Sequence, residues 1–179
     1  MSIISHKLCL VGDFGVGKTS LVRRFVDGEF SDKYLSTVGV KISRKSLELD
    51  HINSNHIKKM QVIIWDIEGS NKFKAIAPSY FQGAKGAIIV ADVTRQETLY
   101  HLSEHIENFL SVNPHSYIVI ALNKSDLIDI EYLEDLLKLY SFNEKVDVIA
   151  TYLTSAKTSD NVNHIFNQLA EKLATNHSQ

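Results

Sequence analysis

Gly12-Asp13-Phe14-Gly15-Val16-Gly17-Lys18-Thr19 follows the apolar run Leu8-Cys9-Leu10-Val11 and precedes Ser20-Leu21-Val22-Arg23-Arg24-Phe25-Val26. A strand, a glycine-rich turn and a helix in that order read as a phosphate-binding loop. The glycines let the chain turn tightly, and the successive amides of Asp13, Phe14, Gly15, Val16, Gly17, Lys18, Thr19 and Ser20 face a polyphosphate at the positive end of the helix. Lys18 reaches the terminal phosphates. Thr19 offers a hydroxyl to Mg²⁺, a hard ion that prefers oxygen ligands. The bland alternative is a glycine-rich turn with a chance Lys-Thr; the strand-like run before it and the amphipathic run after it weigh against that.

Outward from the loop, Leu21, Val22, Phe25 and Val26 repeat at helical spacing, and Asp27-Gly28 should end that helix. The segment from Glu29 to Gly39 has no periodicity. Val40, Ile42, Leu47 and Leu49 make one strand and Met60 to Trp65 the next, joined by the polar stretch His51 to His56 as an antiparallel hairpin. Strand and helix then alternate. Ala87–Ala91, Tyr117–Leu122 and Val146–Ala150 read as strands. Three helices are marked by Leu99, Leu102, Ile106, Phe109 and Leu110, by Leu133, Leu136, Leu137 and Tyr140, and by Val162, Ile165, Phe166, Leu169 and Leu173. Apolar strands separated by amphipathic helices imply an α/β fold: a six-stranded, mainly parallel sheet with one antiparallel edge strand and helices on both faces, in three layers.

At 179 residues, with no linker or repeat, the chain reads as one domain over residues 1–179. Hydrophobic residues at 44% and a net charge of −2 exclude a general affinity for nucleic acid or anionic lipid, so any phosphate site must be local. Cys9, the single cysteine, allows no intrachain disulfide and reads as a buried core thiol in a reducing compartment. No signal peptide or membrane-spanning run is apparent, and the end Ala174 to Gln179 offers no cysteine for prenylation, so a cytoplasmic protein without its own lipid anchor is expected.

In an open α/β sheet, ligands collect at the carboxyl ends of the strands. After Trp65 comes Asp66-Ile67-Glu68-Gly69, where the carboxylate of Asp66 can hold a Mg²⁺ water and Gly69 can bring its N–H to a terminal phosphate. After Leu122 comes Asn123-Lys124-Ser125-Asp126. The Asp126 carboxylate can accept two hydrogen bonds from guanine, Asn123 addresses the other ring edge and the Lys124 stem packs on the nucleotide. Adenine would leave the carboxylate unpaired, at a cost of roughly 1–3 kcal/mol. After the last strand, the amides of Ser155, Ala156 and Lys157 can point at the base carbonyl.

With Thr37 in Tyr34-Leu35-Ser36-Thr37-Val38-Gly39-Val40, and with Phe73, Ile76, Tyr80-Phe81-x-Gly83-Ala84-x-Gly86 and Asp92-Val93-Thr94, these motifs resemble the P-loop small GTPases of the Ras superfamily, most closely the Rab branch. The likeness runs from Lys7 to the closing helix. It implies a Mg²⁺-dependent GTP/GDP switch in signalling or vesicle traffic, with catalytic parts at Lys18, Thr37, Gly69 and Ser70 and metal ligands at Thr19, Thr37 and, through water, Asp66. It implies an effector surface at Ile42, Trp65 and Tyr80, an exchange factor and an activating protein, a monomer, and membrane recruitment only through a partner. Residues 68–84 would form switch II and the segment around Thr37 switch I.

Four positions depart from the pattern. Ser70 stands where the family has its catalytic glutamine, Glu68 where it has alanine beside the γ-phosphate, Phe14 where the loop is small, and Ile42 where the effector surface has phenylalanine. A short hydroxyl cannot span to the attacking water as a carboxamide does, so hydrolysis is expected to be slow. An unpaired Glu68 would meet like charge. The alternative is a GTP-binding module without turnover that serves as a scaffold; an ATPase or kinase is disfavoured by Asn123, Lys124 and Asp126. His101 and His105 have zinc-compatible spacing but no third ligand and read as a solvated helix face. Arg23-Arg24 and Lys58-Lys59 are too short for a nucleic-acid patch.

Overall fold

The computed structural model describes residues 4–33, 36–49, 58–71 and 75–176. Tyr34, Leu35, Phe73, the connection 51–56 and the end 177–179 lie outside them. The sheet comprises β1 (Ile4–Gly12), β2 (Val40–Leu49), β3 (Lys58–Ile67), β4 (Gly86–Asp92), β5 (Tyr117–Asn123) and β6 (Val148–Leu153), in the order β2-β3-β1-β4-β5-β6. The β2–β3 pair is antiparallel, with Ile42 opposite Trp65, and every other pairing is parallel. The expected sheet is therefore the one formed.

Side chains along the central strands alternate between two cores, which is why these strands read as unbroken apolar runs. On one face Leu8, Leu10, Ile88, Val90, Val119 and Ala121 pack under α1 (Lys18–Asp27) and α6 (Val162–Asn176). Phe25 and Phe166 stack there with ring centroids 4.0 Å apart. On the other face Cys9, Val11, Ile89, Ile120 and Leu122 pack under the remaining helices. These are α2 (Ala77–Phe81), α3 (Gln96–Tyr100), α4 (Leu102–Val112) and α5 (Ile130–Leu139). Burial pushes the Cys9 thiol up to about 12, in keeping with an inert core group.

Three boundaries differ from the sequence reading. The helix expected through Leu99 to Leu110 is two helices that meet at His101, which caps the first and opens the second. The last strand begins at Val148, because Val146 and Asp147 belong to turns closed by Lys145 N–H to Phe142 O and Val148 N–H to Lys145 O; Val146 is 92% exposed. Tyr140 lies just past the end of α5 as its cap.

Phe166→Ala, which empties a fully buried ring position between α6 and α1, is expected to destabilise the fold by about 3–5 kcal/mol. Urea unfolding checks this: the midpoint should fall with the slope unchanged.

Candidate functional site

The carboxyl ends of β1, β3, β4, β5 and β6 converge on a cavity of about 390 Å³ lined at one end by the glycine-rich loop and at the other by Asn123 to Leu127 and Ala156. The loop leaves β1 at Gly12 and enters α1 through Gly17, whose φ of +102° is a left-handed conformation suited to glycine. A Cβ on Gly17 would lie 2.3 Å from Asn123 Nδ2, so β5 and the loop touch there at backbone range.

The loop carbonyls turn outward and each finds a partner. Lys18 Nζ donates to Gly12 O and Asp13 O, both at 2.8 Å. Arg95 Nη1 donates to Phe14 O at 2.8 Å, Lys124 Nζ to Gly15 O at 3.0 Å and Asn123 Nδ2 to Val16 O at 2.9 Å. Burial pulls the Lys18 ammonium down to about 8, against the opposing charge of Asp66 and Asp13. A bound polyphosphate would supply the negative charge that this lysine otherwise takes from carbonyl dipoles.

Beside Lys18, three side chains bring together oxygen ligands of the kind Mg²⁺ takes. Thr19 Oγ1 is 2.6 Å from Thr37 Oγ1 and donates to Asp66 Oδ2 at 2.5 Å, while the second oxygen, Asp66 Oδ1, is buried without a hydrogen bond. Burial raises the Asp66 carboxyl, with Thr19 and Lys18 pulling the other way. Three hard oxygen donors around an unsatisfied buried carboxylate fit a divalent cation held partly through water. Gly69 closes this end: a Cβ there would come within 2.4 Å of Gly12 O and 2.6 Å of Lys18 Nζ, so only glycine allows the approach.

At the base end, Ser155 Oγ donates to Asp126 Oδ1 at 2.6 Å, which orients the carboxylate. Asn123 lines the cavity and is also held from behind. Its carboxamide is turned inward, giving Nδ2 to Val16 O and taking Thr154 Oγ1 on Oδ1, so it chiefly ties the loop to β6 and has one N–H left for a base edge. Lys124 likewise pairs its ammonium with Asp92 Oδ2 at 2.6 Å, leaving its stem beside the cavity. Asp13, Val16 and Ser155 are not among the residues that line the cavity. Ser20 and Lys157 do line it.

Glu68 is not an unpaired carboxylate. Oε2 accepts the Gly39 N–H at 2.8 Å, Oε1 accepts the Ser70 hydroxyl at 2.5 Å, and the Glu68 N–H donates to Gly39 O at 2.9 Å. Ser70 itself lies in a neighbouring cavity of about 300 Å³ with Gly12, Gly69 and His105. Outside the cavity, Ile42 and Trp65 sit opposite each other and Tyr80 lies 6.3 Å from Trp65, over a Lys7 ammonium that is 3.6 Å from the indole and donates to Tyr80 O. The three expected surface residues thus form one patch.

Several contributors were missed by the sequence reading. Phe30 lines the cavity from the aperiodic segment. Arg24, weighed only as half of a basic pair, donates Nε to Ala156 O at 2.9 Å and Nη2 to Lys157 O at 3.0 Å, fixing the base-side turn from α1. His101 and His105 do not face solvent together: both reach the Asp13 carboxylate, and His105 is buried. Nothing in their spacing signals a partner 88 or 92 residues away.

The family model described as "Ras family" matches residues 7–175. Among similar proteins, Ras-related protein Rab-22A of Homo sapiens is 35% identical over 175 residues, 97% of this chain and 86% of that protein. Ras-related protein Rab-31 of Homo sapiens is 33% identical over 174 residues, 97% and 85%. GTP-binding protein ypt5 of Schizosaccharomyces pombe is 36% identical over 172 residues, 95% and 78%.

Arg24→Ala leaves two carbonyls of the base-side turn without their donor, and is expected to speed release of bound guanine nucleotide about tenfold, checked by stopped-flow displacement. Asp126→Asn removes the acceptor that distinguishes guanine. Competition with xanthine and adenine nucleotides should show guanine preference falling by at least about tenfold.

Proposed function

Because this chain belongs to the Ras family and is Rab-like, we propose that it is a Mg²⁺-dependent GTP/GDP switch whose own hydrolysis of GTP is slow. GTPase activity is the general property of the family, and the low rate is what the particular residues of switch II add. The observation that carries this reading is the 2.5 Å contact between Ser70 and Glu68. Hydrolysis in this class depends on a side chain that orients water in line with the γ-phosphate. Ser70 is too short for that span, and its one proton is committed to a carboxylate.

The remaining parts have assignable work. Lys18 and the loop amides hold the β- and γ-phosphates, and the Thr37 and Gly69 amides meet the γ-phosphate from the two switches. Thr19, Thr37 and Asp66, the last through water, would hold the cation, which supplies charge neutralisation to the phosphates. Phe14, 45% exposed at the cavity mouth, narrows the approach by which an activating protein would insert an arginine. The Ile42–Trp65–Tyr80 patch is the proposed effector surface, with aliphatic Ile42 selecting partners that differ from those of phenylalanine-bearing relatives. Among the described residues no helix is long and apolar enough to cross a membrane; the reading further includes a monomer brought to membranes by a partner.

A second reading, a GTP-holding scaffold without turnover, is favoured by the Glu68–Gly39 pair, which ties switch I to switch II without help from nucleotide. Single-turnover hydrolysis of bound γ-labelled GTP separates the two. The switch reading expects slow but measurable wild-type turnover, raised at least about tenfold by Ser70→Gln, with Glu68→Ala loosening switch I to proteolysis in the GDP state. Turnover as fast as that of a glutamine-bearing Rab would overturn the slow-hydrolysis reading. No turnover, with identical switch I proteolysis in both nucleotide states, would establish the scaffold.

A further inference from the structure

Behind the phosphate loop lies a titratable cluster that the mechanism above does not use. His101 stands where α3 gives way to α4, and His105 follows one turn later on the same helix face. His101 Nδ1 is 2.6 Å from Asp13 Oδ2 and His105 Nε2 is 2.8 Å from Asp13 Oδ1, so one carboxylate is gripped at both oxygens. The backbone carbonyl of the same Asp13 accepts Lys18 Nζ, and the next carbonyl, Phe14 O, accepts Arg95. The two rings therefore bear, through one residue, on the seat of the phosphate-binding lysine.

The charge arrangement has a direction. Burial raises the Asp13 carboxyl, but the hydrogen bonds to His105 and His101 and the charge of those rings outweigh it, leaving it at about 2. It is therefore an anion directly behind a loop that binds polyphosphate. Neutral imidazoles can each donate one N–H to it; imidazolium rings donate the same bonds in charge-assisted form and cancel the anion's repulsion of the phosphates. Both effects hold the loop and its ligand more firmly.

We propose that His101 and His105 are positioning residues for the phosphate loop, clamping Asp13 so that bound nucleotide is retained more tightly when the imidazoles carry protons. The inference rests on the nucleotide-binding reading given above. Other charged groups face this cluster: Lys18 from α1, Arg95 and Glu97 at the start of α3, Glu104 on α4, and Glu68 across the neighbouring cavity. Burial lowers Lys18 to about 8, so it begins to lose its proton toward the upper end of the range tested, in wild type and variants alike. All of these groups stay in place when the histidines are changed.

The test is the rate at which the full chain, loaded with fluorescent GDP and Mg²⁺, releases it into excess GDP between pH 5.5 and 7.5. Wild type is compared with the double variant His101→Gln/His105→Gln, whose amides can still donate but do not titrate, and with Asp13→Asn. The terminal phosphate of GDP titrates in the same window for every protein, so the readout is the difference between profiles. Wild type should slow on acidification by roughly threefold more than either variant, the size of a partly exposed charge pair. His101→Gln alone, at a side chain 41% exposed, should remove part of that difference and serves if the double variant does not fold. Superimposable profiles for wild type and the glutamine variants overturn the clamp while leaving nucleotide binding intact. Failure of every protein, wild type included, to take up nucleotide overturns both readings.

Discussion

A loop that offers its amides to a polyphosphate must turn its carbonyls the other way, and those carbonyls need donors of their own. Here five consecutive carbonyls, from Gly12 to Val16, are met by four side chains, Lys18, Arg95, Lys124 and Asn123, drawn from α1, the turn after β4 and the end of β5. The next carbonyl, Gly17 O, accepts the Leu21 N–H as the first bond of α1. The ligand-facing geometry is thus imposed from behind. It exists only once β4 has paired with β1 and β5 with β4, which explains why a site whose motifs are scattered along the chain is so dependent on strand order.

The same logic governs the switch end. Gly39 and Glu68 continue the β2–β3 ladder one pair beyond Val40 and Ile67, and the Glu68 side chain adds a further bond to the Gly39 amide. Glu68 is thus a strut between the segment around Gly39 and the one around Gly69. The same carboxylate also holds the Ser70 hydroxyl, so one side chain joins three positions across the two segments.

Strands and their two-sided burial were legible because the period of two places Leu8 and Leu10 in one core and Cys9 and Val11 in the other, and both sets are apolar. That the phosphate loop, Asp66, Gly69 and Asp126 come together at the strand ends was legible because each follows a strand at short spacing. Boundaries set by turns were less so. Nothing apolar distinguishes Val146 from a strand residue, and only the turns around Phe142 and Lys145 take it out of the sheet.

What the chain's order of residues determined alone was the fold class and the family, since both depend on residue type and pattern at short range. Tertiary structure decided the rest. Arg24 became a base-side brace, Asn123 a tie to the loop, Glu68 a link between switches, and His101 with His105 a grip on Asp13. Each of these is a hydrogen bond across a long stretch of chain, made by a polar side chain whose partner is often a backbone carbonyl. Such an acceptor has no residue type to read, so only the packing of the strands and helices could disclose it.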